Sequence, residues 1–180
     1  MAAKSNFINM AACLFVVCAV CSALLGVVYA VTKAPIEAAA EAEAKAAIAE
    51  VLPEGGEISE ALEADGCEYY ECRTGGEVAA YAVKSSTNGF GGLLSIMVGV
   101  LPDGTIYNTK VLSHSETPGL GAKCTTDPKF TAQWKNFPAG GNLTVKKDGG
   151  DVDAITASTI TSRAYSLAVL NARKLVESLQ

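Results

Sequence analysis

The sequence predicts an α+β protein: a single N-terminal transmembrane helix, then a domain with a mainly antiparallel sheet and flanking helices. Three observations predict it. From Ser5 to Thr32 no residue is charged, and Met10–Val31 is almost continuously apolar. Between Cys67 and Ser113, short apolar runs are separated by Gly75-Gly76 and Pro102-Asp103-Gly104, the turn chemistry of consecutive hairpins. Near the C-terminus Tyr165, Ala168, Ala172, Leu175 and Leu179 recur at three- and four-residue intervals, which makes one apolar helical stripe.

Taken in order, the first element is the apolar run. At ~1.5 Å per residue it exceeds the ~30 Å hydrocarbon core of a bilayer. A signal peptide would have an apolar region of only ~7–15 residues, so the run reads as an uncleaved anchor over 10–31, behind an N-terminal segment 1–9. Tyr29 sits where an interfacial aromatic belongs. Residues 32–56 are rich in alanine and glutamate, with Pro35 near their start and Pro53-Glu54-Gly55-Gly56 at their end. They predict an acidic connecting helix with start and stop signals, solvated as it leaves the membrane. The domain then occupies 57–180. Its expected strands are 67–73, 78–84, 93–100 and 106–113, followed by a loop-rich stretch from His114 to Gly150. A further short strand is expected at Val152–Ile155, and a final helix from about Ser162 to Leu179, with Thr161 or Ser162 as its N-cap.

Composition removes several function classes. The 180 residues carry a net charge of −5 and a mean hydropathy of +0.25. No basic face is implied, so nucleic acid is not an expected partner. A single histidine, His114, excludes a multi-histidine metal centre. Charge is uneven: residues 37–77 hold twelve acidic and two basic side chains, residues 78–180 seven and ten. Cys13, Cys18 and Cys21 lie inside the apolar run, where thiols stay neutral and inert. Cys67 and Cys72 fall on one expected strand, ~17 Å apart and too far to bridge. No nucleophilic triad is visible, and Gly89-Phe90-Gly91-Gly92 precedes a strand rather than a helix, so it is no dinucleotide fingerprint. Trp134 and Phe137 read as core.

Two segments remain. One is Ser113–Gly121, leaving a strand. The other is Asp153–Ser162, where Thr156, Ser158, Thr159, Thr161 and Ser162 place five hydroxyls in seven residues before a helix. Serine and threonine cap helices, and a helix N-terminus also offers free N–H groups to an anion; from the residues alone both readings stand.

Together the two segments resemble the FMN-binding domain of the RnfG and NqrC family, subunits of membrane ion-translocating oxidoreductases. The family motif Glu-Thr-Pro-Gly-Leu-Gly is matched by Glu116 to Gly121. A second motif, Asp-x-x-Ser/Thr-Gly-Ala-Ser/Thr followed by x-Thr-Ser, is matched in register by Asp153, Thr156, Thr159, Thr161 and Ser162. Ala157 and Ser158 stand where the family has glycine and alanine. Ala157 must therefore avoid a positive φ or accept strain, and Ser158 adds a competing hydroxyl.

The resemblance implies a fold, a cofactor and a role. FMN is expected on Thr159 through a covalent phosphodiester, placed by a flavin transferase that uses FAD and Mg²⁺. Glu116, Thr117, Gly119, Leu120, Gly121, Thr156, Ser158 and Ser162 are the implied cofactor-binding residues, with Lys146, Lys147 and Arg163 as candidate partners for the phosphate. Glu116 near the flavin ring would disfavour an anionic reduced flavin unless it is itself hydrogen-bonded. The implied role is that of the RnfG component of an Rnf complex, relaying electrons between ferredoxin and NAD coupled to Na⁺ or H⁺ translocation. Such a component is part of a translocase and not catalytic alone. Its implied partners are the other Rnf membrane subunits and the lipid bilayer. The implied location is a bacterial inner membrane, with residues 1–9 cytoplasmic and the C-terminal domain periplasmic. The rival readings are a stand-alone membrane-tethered flavoprotein and a tethered binding module without a cofactor.

Overall fold

The computed structural model describes residues 7–180. Residues 1–6, most of the segment expected on the cytoplasmic side, lie outside the described residues. Helix α1 runs from Phe7 to Val51 and contains Pro35. Two expected helices are thus one. Pro35 removes the N–H that would bond the Val31 carbonyl, but strong helix formers on both sides carry the helix through. From Phe7 to Val31 every residue of α1 is exposed, and this part is long and apolar enough to cross a membrane.

The second compact unit spans Glu43–Gln180 and so takes in the end of α1. Ala47, Ile48, Val51 and Leu52 are buried against Cys72, Ala80, Ala82 and Met97. The expected solvated helix is therefore core at its C-terminal end. A glycine makes this possible: a Cβ at Gly99 would lie 1.8 Å from the Val51 carbonyl oxygen. Asn108 donates to the carbonyl of Glu50 at 3.1 Å, which satisfies one terminal group of the helix.

The sheet is built from β1 (Glu57–Ile58), β2 (Leu62–Ala64), β3 (Cys67–Thr74), β4 (Glu77–Asn88), β5 (Leu93–Val100) and β6 (Ile106–Ser113). Its order is β1-β3-β4-β5-β6, with β2 also on β3, and every pairing between these strands is antiparallel. The β5–β6 turn behaves as its residues demand: Gly104 takes φ 86° and the Asp103 side chain accepts from Thr105 N. Strand β4 continues four residues beyond its expected end at Lys84, because β5 pairs with it as far as Asn88↔Leu93. Alternation then divides the faces. Ala80 and Ala82 meet α1, whereas Tyr81 and Val83 join the main core with Leu94, Ile96, Val98 and the last helix.

Within the loop-rich stretch lie two short helices, α2 (Lys123–Thr126) and α3 (Pro128–Ala132). Asp127 caps α3 by accepting from Lys129 N at 3.0 Å, with Pro128 at the first helical position. Phe130, Trp134, Phe137 and Tyr165 form an aromatic cluster in which Trp134 stacks on Tyr165 with centroids 5.0 Å apart. Trp134 and Phe137 are core, as expected. The strand expected at Val152–Ile155 is not formed; only an isolated bridge joins Val145 and Val152. The Val152 N–H bonds the Thr144 carbonyl and the Ile155 N–H bonds the Ser162 hydroxyl, so the segment's donors serve loop closure.

Helix α4 spans Thr159–Ser178 with Ser158 as N-cap. It begins three residues before the expected start, because the Ser158 carbonyl already accepts from Ser162 N at 3.0 Å. Thr161 and Ser162 are consequently inside the first turns rather than caps. Of the cysteines, all six are free, and Cys67 and Cys72 share β3 as expected.

Candidate functional site

Strand β6 delivers the chain into the Glu-Thr-Pro-Gly-Leu-Gly loop. Gly119 turns it at φ 78°, and the Thr117 carbonyl accepts from Leu120 N and Ala122 N. Glu116 points inward and is only 6% exposed. Its Oε1 accepts from Phe90 N at 2.8 Å and from Gly91 N at 3.3 Å. Its Oε2 accepts from the Thr161 hydroxyl at 2.8 Å. One carboxylate thus joins the β4–β5 turn, its own loop and the start of α4. Both carboxylate oxygens are occupied by hydrogen bonds within the protein.

Glycines let these segments close. A Cβ at Gly121 would lie 2.2 Å from Glu116 Oε2, and one at Gly91 would lie 2.1 Å from the Ser115 carbonyl oxygen. The turn Gly89–Gly92, closed by Gly89 N to Gly92 O at 2.8 Å, presents Phe90 with 70% of its surface exposed.

The hydroxyl-rich segment is held from the other side. Ser162 Oγ accepts from Ile155 N at 2.9 Å and donates to the Ser158 carbonyl at 3.0 Å. Between these anchors Ala157 takes φ +63°. Where the family motif has glycine, this chain carries an alanine in the left-handed region and accepts the strain, on the order of 1–2 kcal/mol. The bend puts Ser158 and Thr159 at the head of α4.

These three segments enclose a cleft of about 340 Å³. Among the expected site residues Glu116, Thr117, Leu120, Gly121, Ser158 and Thr159 line it. Gly119 shapes the loop without lining the cleft, Thr156 is exposed outside it, and Ser162 is buried beneath it. Phe90, Ala157, Ile160 and Thr161 complete the lining. All four are additions to the expected site residues, Ala157 and Thr161 from within the second motif and Phe90 and Ile160 from outside its matched positions. An aromatic flanked by three glycines is the sequence signal for Phe90; nothing in the sequence marks Ile160. Lys146, Lys147 and Arg163 do not line the cleft. Lys146 pairs with Asp153 at 2.7 Å, and Arg163 grips Asp148 through two bonds of 2.7 and 2.8 Å. The Arg163 guanidinium holds the Asp148 carboxyl below its ordinary pKa. A larger cleft of about 610 Å³ beside β2 contains no motif residue, and of its charged lining residues Glu63, Glu68 and Lys84, the last two pair with each other.

The cleft suits an anion carried by a planar apolar group. No protein group among the described residues accepts from the N–H groups of Thr159, Ile160 or Thr161, and the Ser158 hydroxyl makes no cap bond. The positive end of a 20-residue helix therefore faces the cleft wall formed by Ser158–Thr161. Phe90, Leu120 and Ile160 supply exposed apolar surface around it.

Comparison with known families agrees with this chemistry. Residues 89–174 match the FMN-binding domain, and residues 1–51 match the RnfG N-terminal region. The G subunit of an ion-translocating oxidoreductase complex from Methanosarcina acetivorans is 35% identical over 83% of this chain and 83% of its own length. The chain belongs to the RnfG family. The member from Erwinia tasmaniensis is 31% identical over 99% of this chain and 91% of its own. The G subunit of a proton-translocating ferredoxin:NAD(+) oxidoreductase complex from Clostridium ljungdahlii is 38% identical over 58% of this chain and 57% of its own. RnfG proteins are electron-transfer subunits of ion-translocating oxidoreductases, and FMN is the cofactor of the matched domain. The expected family, fold class and cofactor are borne out at that level.

Proposed function

We propose that this RnfG family member carries FMN covalently on Thr159 and relays electrons within a membrane complex between ferredoxin and NAD, coupled to Na⁺ or H⁺ translocation. Residues 10–31 anchor it in a bacterial inner membrane, and the domain faces the periplasm. The other complex subunits and the lipid bilayer are its partners, with a flavin transferase during maturation. One observation carries this reading: two motifs about forty residues apart in sequence meet in a single cleft, with Glu116 and Thr159 both in its wall.

In the attachment step Thr159 Oγ1 forms a bond to the FMN phosphorus of FAD. The pyrophosphate bond breaks, AMP leaves, and the hydroxyl proton passes to solvent. The single negative charge of that phosphodiester would fall at the N-terminus of α4, where the N–H groups of Thr159, Ile160 and Thr161 and the helix dipole would favour it. Phe90, Leu120 and Ile160, exposed apolar side chains in the cleft lining, would hold the flavin ring and shield it from water. Glu116 stays bonded to Phe90, Gly91 and Thr161 and holds the walls of the cleft at fixed spacing. FMN, when bound, supplies reversible electron transfer; the protein supplies its position and electrostatics.

The test is flavin fluorescence of the denatured band, for the wild-type chain and Thr159→Ala, each co-expressed with a flavin transferase. Fluorescence that survives denaturation and disappears in Thr159→Ala is the expected result. Fluorescence retained in the variant would move the linkage to Ser158, Thr156 or Thr161. Its absence from both would leave a tethered module without a covalent flavin.

A further inference from the structure

Ser158 is anomalous among the residues of the cleft. Serine is among the best N-cap residues because its Oγ accepts from the second or third helical N–H. Ser158 occupies the N-cap of α4 at φ −135°, ψ 47°, yet its side chain makes no cap bond. The residue is 7% exposed, lines the cleft beside Thr159, and its Oγ has no hydrogen-bond partner among the described residues. Its backbone is fully used: the N–H donates to Ile155 O at 3.0 Å, and the carbonyl accepts from Ser162 N and Ser162 Oγ. Only the hydroxyl is left over. A buried hydroxyl without a partner is unfavourable, and alanine would keep the same Cβ without that penalty.

Resting on the assignment of FMN to Thr159, we propose that the Ser158 hydroxyl is a positioning donor for the flavin phosphate, unpaired before attachment and satisfied after it. The neighbouring covalent bond brings an anionic phosphate oxygen to the one end of α4 that has both unpaired N–H groups and an unpaired hydroxyl. Among the described residues no lysine or arginine lines the cleft to compete for that oxygen. Ser158 therefore fixes the phosphodiester, and through it the ring, without itself receiving the flavin.

Ser158→Ala separates this role from a merely structural one. The full chain is prepared with and without flavin transferase, and four thermal midpoints are compared. In the flavin-free pair the variant melts at or above wild type, because an unpaired hydroxyl has been removed. In the loaded pair it melts lower, by roughly 3 °C. The ³¹P resonance of the phosphodiester moves in the folded variant and coincides with wild type after unfolding. Equal shifts in both pairs, or an unchanged folded ³¹P resonance, overturn the proposal. A peptide mass that places the flavin on Ser158 overturns it too. Wild-type chain without denaturation-resistant flavin overturns the Thr159 assignment itself, and a loaded wild type with an indifferent variant overturns only the role of Ser158. Should Ser158→Ala fold poorly, Ser158→Gly in the same four-way comparison gives the same contrast.

Discussion

Replacing Glu116 tests whether one carboxylate holds the cleft together. In Glu116→Ala, Phe90 N–H and the Thr161 hydroxyl each lose a 2.8 Å acceptor, and Gly91 N–H loses a weaker one at 3.3 Å. Hydrogen bonds to a charged group contribute about 1.5–3 kcal/mol each, and a buried donor left unpaired adds its desolvation cost. The two full bonds alone sum to a destabilisation of about 3–6 kcal/mol. Glu116→Gln keeps the shape and an acceptor for the turn but loses the charge, so its effect is about 1–2 kcal/mol. Trp134 is the sole tryptophan and is fully buried in the domain core, so its emission reports unfolding of this unit in denaturant, with the chain held in detergent. The expected order is wild type, Glu116→Gln, then Glu116→Ala, with flavin loading falling in the same order. A loss below about 1 kcal/mol in Glu116→Ala would refute the clamp, because one buried and one partly buried bond to a carboxylate contribute more than that together.

Four further predictions concern strain, packing and ionisation. Ala157→Gly relieves the left-handed backbone at φ +63° and should stabilise the domain by about 0.5–1 kcal/mol, less than the full strain because glycine is freer when unfolded; a lower unfolding midpoint would contradict that strain. Gly99→Ala drives a Cβ to 1.8 Å from the Val51 carbonyl oxygen, a backbone atom that cannot rotate away, and should destabilise by about 3 kcal/mol or more on the same Trp134 assay. Tyr70→Phe should raise the pKa of Glu68, which the Tyr70 hydroxyl and then Lys84 hold below the ordinary carboxylate value. The depressed carboxyl stabilises the fold above its unfolded pKa and loses that contribution as pH falls through the folded value, so the variant should lose less on acidification, followed by NMR titration. In the wild type, burial and then Glu68 push the Tyr70 phenol up to about 12. Its contribution is complete below the unfolded value near 10 and is lost as pH rises through about 12, visible in the ultraviolet titration of phenolate.

The elements most legible in the sequence are those whose local signals agree with their environment. Strands β5 and β6 appear at their expected residues because Gly91-Gly92 and Pro102-Asp103-Gly104 fix both ends of the hairpin. The end of α1 reads as solvated in the sequence because alanine suits water and a sheet surface equally; only Gly99 on β5, almost fifty residues later, reveals the contact. The start of α4 is ambiguous for a similar reason. Serine and threonine at 156, 158, 159, 161 and 162 all suit a cap, and the bonds from Ser162 to Ile155 and Ser158 select among them.

The site divides the same way. The two motifs and their order are sufficient to identify the family and to nominate Thr159, because a linear pattern can record which residue types a ligand requires. Their meeting in one cleft is a tertiary outcome. Glu116 reads in the sequence as a flavin neighbour and in the structure as a brace between three segments, since a carboxylate's role depends on which donors the fold aims at it. Ala157 and Ser158 read as departures from a motif. In three dimensions one is a strained bend and the other an unpaired buried hydroxyl, because strain and hydrogen-bond satisfaction are properties of geometry that residue identity alone does not carry.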